Sequence, residues 1–220
     1  MISEIQTRGV FDIIKKSALI SGRKQSDITV IAVTKAFPVS LMNSAYEAGF
    51  SVLGESRVQE TEKKLPKFKY LEQSELHLIG HLQSNKVKKA VEIYDVIQSV
   101  DSIKIAGKIN RIAAFAGKNQ KVFLQVNTGN DPAKYGFLKD DALAALSTII
   151  ELENISLLGI MVVAPLTNDE KNLRKVFSET RMLRDKIRDK FCPTCKMLSM
   201  GMSGDFSIAI EEGATHVRIG

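Results

Sequence analysis

Apolar residues recur along this chain with two periods. From position 3 to position 19 the apolar residues Ile5, Val10, Ile13, Ile14 and Ala18 fall on one helical stripe. Beyond it, short runs rich in β-branched residues alternate with longer amphipathic stretches. The runs at 28–34, 50–53, 76–79, 96–99, 122–126, 157–162, 197–199 and 216–219 predict strands. The stretches at 40–48, 56–64, 84–91, 102–116, 139–152, 169–190 and 205–212 predict helices. Gly49 and Gly213 stand just past two of them, where a left-handed cap is useful. Asn168-Asp169 and Ser203-Gly204-Asp205 offer capping side chains where two others begin.

A leading helix followed by eight apolar strands and seven intervening helices is the count of an α/β fold of the closed (β/α)8 TIM-barrel type. No low-complexity tract or flexible linker divides it, so one domain over residues 1–220 is expected. An open doubly wound sheet is the competitor, but the glycine-rich dinucleotide fingerprint that would favour it does not occur.

Composition narrows the class. Hydrophobic residues make up 44% and charged residues 25%, the balance of a soluble globular protein. The longest apolar stretches, such as 155–165, are far too short to span a bilayer. Glu4, Arg8, Asp12, Lys15 and Lys16 are spread through the first 22 residues, which therefore read as neither signal peptide nor anchor. A cytoplasmic protein with no membrane partner is expected. The net charge of +6 permits attraction to anions. Its lysines and arginines are interspersed with acids on helix-like segments, and no nucleic-acid signature appears. Cys192-Pro193-Thr194-Cys195 has the spacing of a redox motif or half a zinc site, but no second pair exists and the three histidines are distant in sequence. A structural or incidental loop with no metal is the expectation.

Candidate chemistry lies at the strand ends. The first strand closes on Lys35, and a lysine finishing a buried strand is expected to be desolvated, its amine free to attack a carbonyl. The alternative is a side chain that snorkels out into water. In barrels of this type the loops after the strands form the active face. Strand two leads into Gly54-Glu55-Ser56-Arg57, and strand three carries His77 and then Gly80-His81-Leu82-Gln83-Ser84-Asn85-Lys86. Strand five supplies Gln125-Val126-Asn127, strand six Met161, strand seven Ser199-Met200-Gly201-Met202-Ser203, and strand eight Arg218-Ile219-Gly220. The 199–205 segment, small and polar before a helix, has the form of an anion cradle, although a plain strand-to-helix turn reads the same way. Arg218 within a strand requires a buried acceptor, either a ligand atom or a carboxylate such as Glu55. A desolvated lysine facing a phosphate cradle suits a phosphorylated aldehyde held as a Schiff base, and pyridoxal 5'-phosphate is the obvious cofactor of that kind.

These motifs, together with Ala32-Val33-Thr34-Lys35, Gly159-Ile160-Met161 and Val217-Arg218-Ile219-Gly220, occur in one order over nearly the whole chain. The chain resembles the pyridoxal phosphate homeostasis proteins, which share their barrel with the N-terminal domain of alanine racemase. The resemblance implies that Lys35 carries the Schiff base, that Ser203 and the Gly220 backbone hold the phosphate, and that Arg218 faces the pyridine nitrogen. It places Ser56 at the ring and His77, Met161, Ser199 and Gly201 around the pocket. It implies a monomeric cofactor carrier that serves pyridoxal phosphate-dependent apoenzymes in vitamin B6 homeostasis, with no catalytic residue. A small racemase-like enzyme is the alternative; a cofactor-free Schiff-base aldolase and a nucleic-acid-binding barrel are further rivals. Two departures stand out. The family pattern Gly-Glu-Asn-Tyr is Gly54-Glu55-Ser56-Arg57 here, and the pattern continues past Arg-Ile-Gly whereas this chain stops at Gly220. Part of the phosphate site and a last helix are therefore expected to be missing.

Overall fold

A computed structural model describes residues 4–129 and 131–220. Ser3, at the start of the expected first helix, lies outside them. Helix α1 (Glu4–Ile20) precedes β1 (Thr29–Val33), α2 (Val39–Glu47), β2 (Val52–Glu55), α3 (Val58–Lys64), β3 (Glu75–Leu78) and α4 (Val87–Ile93). There follow β4 (Val96–Val100), α5 (Ile103–Phe115), β5 (Gln120–Val126), α6 (Lys139–Ile149), β6 (Ile155–Val162), α7 (Glu170–Lys190), β7 (Met197–Met202), α8 (Phe206–Glu211) and β8 (His216–Ile219). The strands pair in sequence order and β1 closes on β8, all parallel, with Ile31 beside Arg218 and Ala32 beside Ile219. The expected barrel and its leading helix are both present.

Local chemistry accounts for the boundaries. Ser102 accepts a hydrogen bond from the Ile105 amide and starts α5. Asp169 accepts from Lys171 and Asn172 and starts α7, satisfying amides that a helix start leaves free. Gly49 and Gly213 take φ of 94° and 104°, the left-handed conformation expected where α2 and α8 end. Asp205 does not cap α8. Its carboxylate turns back and accepts from the Met202 amide at 2.6 Å, because β7 runs three residues further than its apolar run predicted.

Packing falls into two parts. The outward strand faces and the inward helix stripes form one apolar shell. The stripe of α7, for example, places Leu173, Val176, Phe177, Leu183 and Ile187 against the sheet at helical spacing. Inside the barrel a much smaller apolar cluster, Val96, Phe123 and Met161, fills the axis. Much of the rest of the interior is polar, and includes His77, Gln98, Ser199, His216 and Arg218, all buried. Barrel interiors are ordinarily filled by branched apolar residues, so this polarity has to be satisfied internally. Two strand glycines allow close approach. A Cβ on Gly54 would sit 2.8 Å from Ile31 Cγ2, and one on Gly159 would sit 2.0 Å from the Met197 carbonyl oxygen.

Candidate functional site

Alternation along β2 decides where its polar end goes. Gly54 faces the interior, against Ile31 and Ile79, so Glu55 faces outward toward α3. There its two carboxylate oxygens accept from Lys64 Nζ at 2.8 and 2.9 Å, and Oε1 also accepts from Thr34 Oγ1 at 2.6 Å. The same ammonium donates to the Thr34 carbonyl at 3.0 Å. Glu55 is therefore not the partner of Arg218. It belongs to a buried clasp that ties the ends of β1 and β2 to α3, one residue before Lys35.

Lys35 itself is exposed, contrary to the expectation of a desolvated amine. The strand ends at Val33 and the chain turns over Lys35 and Ala36, the latter at φ 61°. Thr34, held by the clasp, is the last buried residue before that turn. Lys35 thus stands on the rim above β1, two residues past the strand.

The far side of the β1–β8 seam brings Ser203 and Gly220 together. Ser203 Oγ donates to the Gly220 carbonyl at 3.0 Å and accepts from the Gly220 amide at 3.2 Å. Gly220 packs on Val33 so closely that a Cβ would lie 2.9 Å from Val33 Cβ. The hydroxyl and amide expected to hold a phosphate are therefore adjacent, and Ser203, Gly204 and Gly220 are exposed to receive one. The anticipated cradle is shorter than 199–205, because residues up to Met202 are strand. Gly201, at φ 93°, faces α8, where a Cβ would lie 2.6 Å from Ala209 Cβ. The register shift between Ser199 and Met202 redirects it outward, so it permits helix docking rather than lining the mouth.

Arg218 lies below, two residues back along β8. Its Nη1 donates to the Ser199 carbonyl and hydroxyl, both at 2.9 Å, and its Nη2 donates to the Val162 carbonyl at 2.8 Å. No ion pair to it occurs among the described residues. Burial pulls its proton affinity down, to about 10, against the opposing pull of Asp205. Ser199, fully buried, donates to Gln98 Oε1 at 2.6 Å, and Gln98 Nε2 lies 2.7 Å from His77 Nδ1. His77 and Ser199 are thus members of a buried network under Arg218, and Met161 packs with Val96 and Phe123. Gln98 had not stood out in the sequence. Its signal is a lone amide on the strand face it shares with Val96 and Val100 in Val96-Ile97-Gln98-Ser99-Val100.

Ser56 tops β2 against the Gly80 backbone, where a Cβ would meet the Ser56 oxygen at 2.3 Å. With Arg57, Gln59, His81, Gln83 and Lys86 it lines a rim cavity of about 340 Å³. His81 pairs with Asp101 at 2.9 Å and stacks on Tyr135, with ring centroids 3.9 Å apart. Asn127 pins the β5–α6 loop through Asp131, and Lys134 Nζ bonds the carbonyls of Val163 and Ala164. Loops three to six are thereby stitched together at the rim. A second cavity, about 480 Å³, lies elsewhere: it is an apolar groove on the outer side of β1 and β8, lined by residues such as Val10, Ala32, Leu41 and Phe206, with Ser203 and Gly220 at its edge. In the Cys192–Cys195 loop both thiols are free, and burial pushes Cys195 up to about 12, leaving an unreactive thiol.

A closed parallel barrel with a lysine, a hydroxyl–amide pair and a buried arginine at one rim is matched over residues 18–220 by a family model, alanine racemase, N-terminal domain. That defines the class. Among named relatives, a pyridoxal phosphate homeostasis protein of Aquifex aeolicus (strain VF5) is 36% identical over 211 residues, covering 96% of this chain and 92% of its own. The chain belongs to the pyridoxal phosphate homeostasis protein family. PipY of Synechococcus elongatus PCC7942, solved with PLP bound, superposes with a TM-score of 0.84 at 36% identity, covering 94% of this chain and 97% of its own. A protein of unknown function from Bifidobacterium adolescentis superposes with a TM-score of 0.94 at 33% identity, over 99% of this chain and 92% of its own. Alanine racemases from Clostridium difficile share the fold at 18% identity, this chain spanning 55% of theirs. No helix among the described residues is long and apolar enough to cross a membrane.

Proposed function

We propose that the chain binds pyridoxal 5'-phosphate at this rim, with Lys35 as the attached amine, and buffers or delivers it without strong catalytic turnover. The observation that carries the reading is the grouping of three donors of the right chemistry at the β1–β8 seam. These are the Ser203–Gly220 hydroxyl and amide for a phosphate, the buried Arg218 cation for a ring nitrogen, and Lys35 on the turn above. The bound cofactor would supply an aldehyde that takes up an amine and a ring that withdraws electrons. Lys35 offers the amine from an exposed turn, which suits exchange with outside amines. Ser203 and the Gly220 amide exchange their mutual bonds for phosphate oxygens, and Ser56 borders the ring. Ser199, His77, Met161 and Gly201 support this arrangement from below and behind.

Weak turnover follows from Arg218. A guanidinium stays protonated at neutral pH, and a cation at the ring nitrogen weakens the ring as an electron sink. The family name carried by the Aquifex relative and the cofactor in PipY support the same reading. The working unit is a monomeric one-domain barrel in the cytoplasm that hands cofactor to apoenzymes. The test is to load the protein with pyridoxal phosphate and incubate it with alanine in deuterated water and, separately, with an apoenzyme that requires the cofactor. Activation of the apoenzyme without α-deuterium incorporation is expected. Multiple-turnover α-exchange would replace the carrier with a racemase-type enzyme.

A further inference from the structure

The interior network has a direction. Arg218 Nη1 donates to Ser199 Oγ, Ser199 Oγ donates to Gln98 Oε1, and the Gln98 amide nitrogen points at His77 Nδ1. An amide nitrogen only donates, so His77 Nδ1 is the acceptor and a neutral ring carries its hydrogen on Nε2. That nitrogen lies 3.3 Å from Glu75 Oε1, without the alignment of a full hydrogen bond. Glu75 is the first residue of β3, at the opposite end of the barrel, and the His77 contact holds its carboxyl below the usual carboxylate range. Every donor in the series points away from the cation and toward the anion. The chain crosses from β8 through β7 and β4 to β3, and Ser199 and Gln98 are each 0% exposed.

We propose that Gln98 is a positioning residue for the cofactor-ring end of the site: through Ser199 it fixes which edge of the Arg218 guanidinium faces the barrel mouth. This rests on the reading that Arg218 meets the ring nitrogen. The two backbone carbonyls alone leave the plane of the guanidinium free to tilt. The Ser199 hydroxyl adds a third anchor, but only while its own hydrogen is committed elsewhere. Gln98 accepts that hydrogen through Oε1, and its amide nitrogen is engaged by His77 Nδ1. Without Gln98 the hydroxyl is free to rotate and compete with the Arg218 hydrogens. A bare Gln in this position would leave an amide buried without partners, a costly arrangement. The network satisfies it.

The test compares Gln98→Leu, Ser199→Ala, Arg218→Gln and Gln98→Leu/Arg218→Gln in the full-length protein. One readout is the pH midpoint of the visible absorption band after loading with pyridoxal phosphate. The other, on cofactor-free protein, is the ¹⁵N-resolved guanidinium signals of Arg218. Gln98→Leu is expected to keep one cofactor per chain on Lys35 and to move the midpoint in the same direction as Arg218→Gln, by at least half as much. The double variant moves it no further than Arg218→Gln. In the cofactor-free protein the separate, slowly exchanging Nη signals of the wild type collapse in Gln98→Leu. Ser199→Ala shows the same two changes and keeps the test available if Gln98→Leu does not fold. Wild-type midpoints and Arg218 signals in Gln98→Leu or Ser199→Ala would overturn the proposal. If Arg218→Gln itself left the midpoint unchanged with cofactor on Lys35, the placement of Arg218 at the ring would fail and the proposal with it. Collapsed Arg218 signals in that case would show that the network still holds the side chain.

Discussion

Replacing Lys64 with methionine should be among the most damaging single changes away from the rim. Its ammonium meets both oxygens of Glu55 at 2.8 and 2.9 Å, and Glu55 is fully buried while the Lys64 side chain is 11% exposed. At those distances and an effective dielectric constant of about 20, the attraction is about 6 kcal/mol. Methionine keeps most of the apolar stem, so the main loss is the charge. The carboxylate left behind retains the Thr34 hydroxyl alone. Breaking a buried pair from one side typically costs about 3–5 kcal/mol. For a chain of 220 residues that corresponds to a fall in Tm of roughly 6–20 °C. Glu55→Gln/Lys64→Met should recover at least half of the loss, because a neutral amide can be buried against Thr34 at far smaller penalty. The assay is urea and thermal unfolding of the four proteins of the cycle. A loss below about 1 kcal/mol for Lys64→Met, within the usual range for surface pairs, would refute the claim that this clasp is desolvated.

His216 should make the fold sensitive to acid. Burial first, then the nearby His77 and Arg218 charges, hold its imidazolium down to about 4, against the opposing pull of Glu75. The unfolded chain takes up the proton near pH 6.5, so stability is complete above that value and falls by up to about 3 kcal/mol toward pH 4. The pH slope of urea stability in this window should flatten in His216→Gln; an unchanged slope would assign the sensitivity to other groups. Gly159→Ala should cost about 3 kcal/mol, since the methyl meets the Met197 backbone at 2.0 Å. In the same urea series Gly107→Ala in α5, with no atom in the way, should gain about 0.5–1 kcal/mol; equal effects would contradict the packing argument. Ser203→Ala should weaken pyridoxal phosphate binding about 10- to 100-fold in a fluorescence titration while leaving pyridoxal, which lacks the phosphate, unaffected. Equal losses for both ligands would remove Ser203 from the phosphate site.

The barrel was legible because each strand carries its period in a short run bounded by polar helix starts, and β8 was read to the residue. Boundaries moved where hydrogen bonding outran hydrophobicity. Strand β7 continues through Gly201 to Met202, which no apolar count would show. At the site, the positions of Ser203, Gly220 and Arg218 were recoverable from strand order alone. The environment of Lys35 was not, since burial at a strand end depends on loops from other parts of the chain. Of the two acceptors open to Arg218, a ligand atom or a carboxylate such as Glu55, the period-2 rule already excludes Glu55. Gly54 faces in, Glu55 therefore faces out, and Arg218 faces in. Gln98 escaped notice because its partners are 21 and 101 residues away in sequence.

The amine that holds the cofactor decides between a specific site and adventitious surface labelling. The most direct measurement is borohydride reduction of the protein with pyridoxal phosphate, followed by intact mass and peptide mapping. A single phosphopyridoxyl group on Lys35, lost in Lys35→Ala, is the predicted result. Labelling spread over surface lysines, or labelling undiminished in Lys35→Ala, would contradict it.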